Sequence, residues 1–277
     1  MQALLMCGAV PDPKDPLFPH TQGRPKALLD MAGKPMAQWV LDALTESQLV
    51  EGIVAIGVGP DSGLTTDKPI SYLPDQGGAV SNALAGVDSA LEQRPDTRYV
   101  LLTSCDVPAV TAEMIDWRVR VALQNGADFD YLAVEREVME KRFPASHRTY
   151  THLKGKDVCG GDINVAHVRL AKDAAFVEKL NAARKSPLRM ASVIGWNVLF
   201  LLVTRQMTIE RGQELISRNL GINAHFQLCP YAELGMDVDK PHQLEMMRED
   251  LARREDLARR EDLARREDPA RREAMRR

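Results

Sequence analysis

An α/β fold, in which helices flank a mostly parallel central sheet, is what three features of this sequence predict. Short runs such as residues 99–103 are mostly apolar and carry β-branched and aromatic members, which suits strands buried on both faces. These runs alternate with longer stretches whose apolar residues recur at helical spacing, the pattern of parallel strands joined by helical crossovers. Just beyond 99–103 stand Asp106 and Pro108. A central strand there would leave one carboxylate at its carboxyl end, where Pro108 forces the chain out of the ladder.

Taken in order, residues 3–7 form the first buried strand. Residues 8–25 then make a long loop, with prolines at 11, 13, 16 and 19, that ends in Gly23-Arg24-Pro25-Lys26. Loops of that length are usually functional or disordered. Arg24 offers a planar fork of donors and Lys26 a point charge, while backbone around Gly8 can come close to a phosphate. The pattern reads as a phosphate clamp, or more plainly as a solvated basic turn. After the turn Ala32-Gly33-Lys34-Pro35, residues Met36, Trp39, Val40 and Leu44 mark a helix over 36–45, and strands over 52–58 and 70–73 follow. Pro74-Asp75-Gln76-Gly77-Gly78 opens a helix over 79–91. The unpaired amides of such a helix start can receive a base edge or an anion.

Ligands of open α/β sheets bind outside the carboxyl ends of the strands, so Asp106 lies where a hard cation or a polar substrate would be met. The plainer alternative is a carboxylate that caps the next turn. Thr111 is the expected cap of a helix over 111–125 with Met114, Ile115, Val119 and Leu123 on one face. Another strand covers 130–134. From 135 to 164 the chain turns polar and basic and closes on Gly160-Gly161-Asp162-Ile163-Asn164. We read this stretch as an insertion that walls an acceptor pocket: Gly160 and Gly161 let backbone lie close to a ligand, Asp162 offers acceptors and Asn164 an amide.

A helix over 173–183 and the basic turn Arg184-Lys185-Ser186-Pro187 come next. Residues 188–220 read as mainly helical, and their most apolar piece, 198–203, belongs in a buried helix. A last strand over 224–228 leads to Gly235-Met236-Asp237-Val238-Asp239-Lys240-Pro241. There Asp237 and Asp239 can face a cation, or Asp239 can cap the helix that Pro241 starts. Residues 1–248 are expected to form one domain. From Glu249 the unit Leu-Ala-Arg-Arg-Glu-Asp repeats; six helical steps of about 100° turn a residue by about 240°, so the leucines spread over different faces. Residues 249–277 therefore predict a solvated, fraying helical tail as far as Pro269, braced by acid-before-base pairs such as Glu249 with Arg253 and Asp250 with Arg254, and no coiled coil.

Composition narrows the partners. The 277 residues have a net charge of -3 with acidic and basic side chains mixed, which argues against a dedicated nucleic-acid or acidic-membrane binder, so neither a nucleic-acid nor a membrane partner is expected from charge. Cys7, Cys105, Cys159 and Cys229 have no zinc-ligand or paired spacing, so reduced, buried thiols and a cytoplasmic location are expected. No stretch reaches the roughly 18 apolar residues of a membrane span.

At this point the motifs resemble a known family. Leu5-Met6-Cys7-Gly8, then Gly23-Arg24-Pro25-Lys26-Ala27-Leu28-Leu29 and Ala32-Gly33-Lys34-Pro35-Met36, is similar to the signature of the MobA-like nucleotidyltransferases. Cys105-Asp106-Val107-Pro108 looks like their metal-binding Asp, and Asp237-Val238-Asp239-Lys240-Pro241 like their late acidic turn. The sequence departs from the family where Cys7-Gly8-Ala9 replaces Ala-Gly-Gly and where His242-Gln243 follows the late proline.

What the resemblance implies is a nucleotide-diphospho-sugar-transferase type of fold and transfer of a nucleotidyl group from an NTP. Lys26 and Arg24 would hold the triphosphate, Met6, Cys7 and Gly8 would line its loop, and Asp75, Gln76 and Gly77 would lie near the base. Asp106 and Asp239, with Asp237 beside them, would hold Mg2+. The segments that hold Arg148, Gly161-Asp162 and Lys185 look like features of a subgroup, and these residues together with Asn164 are the expected acceptor side. The expected reaction is attack by a phosphate-bearing small acceptor on the α-phosphorus, with release of pyrophosphate. Two rivals stand beside it: a glycosyltransferase of similar fold that uses Asp237 and Asp239 for a nucleotide sugar, and a nucleotide-binding protein that has lost catalysis through its altered glycine loop.

Overall fold

The computed structural model describes residues 1–8, 11–183, 193 and 195–267. Among them, nine strands form one mixed, mostly parallel sheet. Its parallel half runs β5 (Ile70–Leu73), β4 (Gly52–Ile56), β1 (Gln2–Met6) and β6 (Tyr99–Ser104). The other half adds β10 (Ile163–His167), β7 (Phe129–Glu135) and the edge hairpin of β8 (Thr151–Leu153) and β9 (Lys156–Gly160), with β11 (Ala224–Cys229) parallel to β7. The two-residue strands β2 (Asp30–Met31) and β3 (Lys34–Pro35) pair separately.

Strand alternation sorts the apolar side chains into two layers. Ala3, Ile53 and Leu101 stand side by side in register and join the larger core with helices α2 (Met36–Glu46) and α4 (Ala112–Asn125). Leu4, Val54 and Leu102 point the other way, toward α3 (Ala79–Gln93). The expected strand at 99–103 is thus central, flanked by β1 and β10. Thr111 caps α4, its hydroxyl accepting from the Met114 amide at 3.5 Å.

Several expectations need correcting. Residues 8–25 are not all loop, for one helical turn, α1 (Phe18–Thr21), lies within them. On α4 the buried face is Ile115, Val119 and Ala122, whereas Leu123 is 48% exposed; one residue of helical rotation, about 100°, moves it off the core. The stretch 135–164 is part of the sheet: it contains α5 (Arg136–Arg142), the β8–β9 hairpin and the start of β10. Strand β10 was missed because its antiparallel place between β6 and β7 depends on partners far along the chain.

The helix Trp196–Val203 is not buried as expected. Val198 faces inward, while Trp196, Leu199, Phe200 and Val203 are exposed. No helix among the described residues is long and apolar enough to cross a membrane.

The last helix, Pro241–Glu267, runs through position 249 without a break. Its first turns are docked, with Leu244, Met247 and Leu251 buried at helical spacing. Asp250 accepts from both terminal nitrogens of Arg142, at 2.9 and 2.7 Å, and Arg254 donates to the Ala109 carbonyl at 2.7 Å. Tertiary partners thus replace the expected pairing of Asp250 with Arg254, and beyond them the leucines of the repeat, Leu257 and Leu263, are exposed. Leu251→Ala is expected to destabilise the fold by about 2–4 kcal/mol through the cavity it leaves. Leu257→Ala should stay within about 0.5 kcal/mol, and urea denaturation compares the two.

Candidate functional site

The site forms where the parallel strands end. Strand β6 delivers Asp106 two residues past its last member, Ser104, whose hydroxyl donates to Asp106 Oδ1 at 2.5 Å. The loop after α1 delivers Lys26, the first residue of a single 3-10 turn. Its ammonium donates to Asp106 Oδ2 at 2.7 Å and to Asp239 Oδ1 at 2.5 Å. Two carboxylates far apart in sequence therefore meet on one cation.

Backbone pairing makes that meeting possible. The Val238 amide donates to the Asp106 carbonyl at 3.0 Å, which fastens the late acidic turn to the end of β6. Gln243 then fixes Asp239 from behind, accepting from the Asp239 amide at 2.9 Å and donating to the Ser146 carbonyl at 3.0 Å. Sequence reasoning noted Gln243 only as a departure from the family; its burial gives it this positioning role. Burial alone would lower the Lys26 ammonium, but Asp106 and Asp239 outweigh it and hold the group above its ordinary value.

Asp162 reaches the same place by a different route. Between the pairs Gly160–Ala133 and Val165–Asp130, residues 161–164 face only residues 131–132. This bulge lifts Asp162 out of the ladder. Its carbonyl accepts from the Ser104 amide at 3.0 Å, while its Oδ2 is buried with no hydrogen-bond partner and lies 4.0 Å from Arg148. Burial first, and then the Asp106 charge, push the Asp162 carboxyl up to about 7, with Arg148 pulling the other way.

Other expected site residues are placed differently. Asp237 does not share Lys26 but is paired with Arg148. Arg24 is exposed and donates from Nε only to the Thr21 carbonyl at 3.4 Å. Asn164 is spent on the bulge, accepting from the Leu132 amide at 2.9 Å and donating to the Gly161 carbonyl at 3.2 Å. The room left by Gly160 and Gly161 serves the protein's own packing. A β-carbon on Gly160 would collide with the Tyr131 hydroxyl, and one on Gly161 would meet Leu132 at 2.7 Å. Lys185 and Ala9 lie outside the described residues.

On the opposite side of Asp106, Met6 ends β1, and Cys7 is buried with its amide donating to the Ile56 carbonyl at 2.7 Å. Gly8 is enclosed: a β-carbon there would lie 2.6 Å from Asp75 Oδ1. Asn82, a buried residue that sequence reasoning missed, braces the Asp75–Gln76 turn that runs on to Gly77. It donates to Asp75 Oδ1 at 2.7 Å and accepts from the Gln76 amide at 2.6 Å. An Asn four residues into a helix that follows a glycine turn was the available signal. Asn82→Ala is expected to destabilise the fold by about 1–3 kcal/mol through the loss of two hydrogen bonds from a buried side chain, readable in a thermal or urea melt.

Among the described residues, no group of three or more His, Cys, Asp or Glu side chains is arranged to hold a metal ion. All four cysteines are buried free thiols.

The chain is similar to a solved hypothetical transferase from Thermus thermophilus, with 30% identity and a TM-score of 0.72 over 88% of this chain and 98% of that one. It also shares its fold with a CMP:2-keto-3-deoxy-manno-octonic acid synthetase complexed with CTP, at 14% identity and a TM-score of 0.58 over 91% of this chain and 98% of that one. A 2-C-methyl-D-erythritol 4-phosphate cytidylyltransferase, also from Thermus thermophilus, aligns at 13% identity and a TM-score of 0.51, over 91% and 98% of the two chains. No curated protein matches the chain. A family model described as the MobA-like NTP transferase domain matches residues 21–195, a span that includes Lys26, Asp106, Arg148 and Asp162. With its nucleotidyltransferase-like fold, the chain belongs to the MobA-like NTP transferase domain family.

Proposed function

We propose that this protein transfers a nucleoside monophosphate from an NTP to a phosphate-bearing small acceptor and releases pyrophosphate. The observation that carries the reading is the Lys26 ammonium held between Asp106 and Asp239 at the carboxyl ends of the parallel strands. CTP is the first nucleotide to test, since the names of two fold neighbours contain it or its transferred group. The reaction needs little covalent chemistry from the protein. The acceptor oxygen forms a bond to the α-phosphorus as the bond to the bridging oxygen breaks, and that electron pair leaves with pyrophosphate.

Each residue then has a defined task. Lys26 offsets the growing negative charge of the leaving group, and Arg24 reaches the outer phosphates from its exposed position on the loop. The Asp75, Gln76 and Gly77 turn receives the base. Arg148 and Asp162 face the acceptor, Arg148 toward its phosphate and the unpartnered Asp162 Oδ2 toward a hydroxyl of the same molecule. A phosphate acceptor is already ionised at pH 7, so no general base is required.

The donor set fits magnesium. That ion is commonly held by only one or two carboxylates together with substrate phosphates, and Asp106 and Asp239 already converge on one positive charge. When bound there, it would add Lewis-acid stabilisation of the phosphates. Asp237, taken up by Arg148, is left out of this set. The buried free thiols are in keeping with a reducing, cytoplasmic setting.

Labelled NTP with magnesium and a panel of phosphorylated acceptors is expected to yield labelled pyrophosphate. A nucleotide sugar hydrolysed to free nucleoside diphosphate instead would replace the proposal with glycosyl transfer. Lys26→Ala should raise the apparent KM for NTP about tenfold or more, the worth of a charged hydrogen bond. An unchanged KM would make Lys26 a structural counter-ion only.

A further inference from the structure

Behind the site lies a second space with different chemistry. On the α3 side of the sheet is a cavity of about 530 Å³. Its floor is Leu102, Tyr131 and Ala166, and its walls come from Val80 and Ala83 of α3, Phe176 of the helix Ala174–Ala183 and Ile216 of the helix Ile209–Leu220. Packed layers of sheet and helix normally leave few voids larger than a water molecule. An apolar space this large has the volume of a ligand site.

The cavity adjoins the candidate acceptor side. Tyr131 lines it, and the same side chain brings its hydroxyl against Gly160, next to the bulge that carries Asp162. Ala79 and Val80, at the start of α3, line it directly after the Gln76-Gly77-Gly78 turn. An apolar surface is also exposed nearby. The helix Trp196–Val203 packs on Ile209–Leu220, whose Leu215 shares a small core with Val198, and it turns Trp196, Leu199, Phe200 and Val203 outward. Exposed Trp, Phe and Leu on one short element are suited to a lipid–water boundary.

We propose that the acceptor is a membrane-borne amphiphile, its phosphate head beside Arg148 with a hydroxyl of that head donating to Asp162 Oδ2, and its hydrocarbon tail in the cavity floored by Leu102, Tyr131 and Ala166. The inference rests on the acceptor side assigned above, and it narrows the acceptor from any small phosphate ester to one with a long apolar chain.

The test is calorimetric titration of the full-length protein with methyl, butyl, octyl and dodecyl phosphate. Affinity should rise by about fourfold for each methylene buried, making dodecyl phosphate at least about a hundredfold tighter than methyl phosphate. Ala83→Phe and, separately, Ala166→Phe fill the cavity from a helix and from a strand. Each should abolish the gain with chain length and leave NTP binding unchanged, in a protein whose thermal melt shows it folded. Equal affinity for methyl and dodecyl phosphate overturns the proposal. So does a gain that survives both substitutions.

The membrane source is read by sedimentation with phosphatidylcholine vesicles. Wild type should co-sediment, and Phe200→Ser with Val203→Ser should reduce that about tenfold; wild type remaining in the supernatant overturns this source. Failure of NTP to bind while dodecyl phosphate does would defeat the transferase reading and spare the cavity. NTP binding without chain-length dependence would do the reverse.

Discussion

Asp106→Asn is expected to lower magnesium-dependent turnover of NTP by about two to three orders of magnitude, the usual effect of removing one preorganised charge-stabilising group. Asparagine keeps the shape and still accepts from Ser104, so the strand end and the Val238 amide bond to the Asp106 carbonyl should persist. What is lost is the charge that, with Asp239, anchors Lys26 and would hold a divalent ion. Pyrophosphate release across a magnesium titration checks it, with a melting curve to show that the fold is retained. Turnover at the wild-type level would remove Asp106 from the chemistry and leave it a cap for its own turn.

The largest expected loss of stability lies elsewhere, in a pair with no part in the site. Arg118 of α4 is fully buried; it donates to the Asp130 carbonyl at 2.6 Å and the Ile163 carbonyl at 2.9 Å, and pairs with Asp130 Oδ1 at 2.7 Å. This one side chain ties α4 to β7 and β10. Burial draws the Arg118 guanidinium below its ordinary value, and Asp130 only partly restores it. Arg118→Met should cost about 3–5 kcal/mol, because it strands the Asp130 charge in the interior. The double change Arg118→Met with Asp130→Leu should recover much of that loss. Urea denaturation of the three proteins decides it, and a single variant within about 0.5 kcal/mol of wild type would contradict the account.

How much of this was legible beforehand depends on the range over which each feature is encoded. Strands β1, β4, β5 and β6 and helices α2 to α4 were readable because burial writes an apolar pattern into a few consecutive residues. Strand β10 was not, since Ile163, Val165 and their neighbours differ little from a polar loop until β6 and β7 lie on either side. The helix Trp196–Val203 failed in the opposite sense, for its apolar content implied burial and the fold turned much of it outward.

The same division holds in the site. By itself the sequence determined the fold class, the family resemblance and the acidic and basic residues around which the chemistry is proposed, because residue type and spacing are local properties. Only the tertiary structure decided which of those groups meet. Asp239 joins Asp106 on Lys26 while Asp237 goes to Arg148, Asn164 and Gly161 serve packing, and Asn82 and Gln243 emerge as braces. The meetings of Lys26 with Asp106 and Asp239 and of Arg148 with Asp237 join residues 80 to 213 positions apart, which no local pattern records, whereas the bonds of Asn82 to Gln76 and of Gln243 to Asp239 are short-range and matter because both side chains are buried.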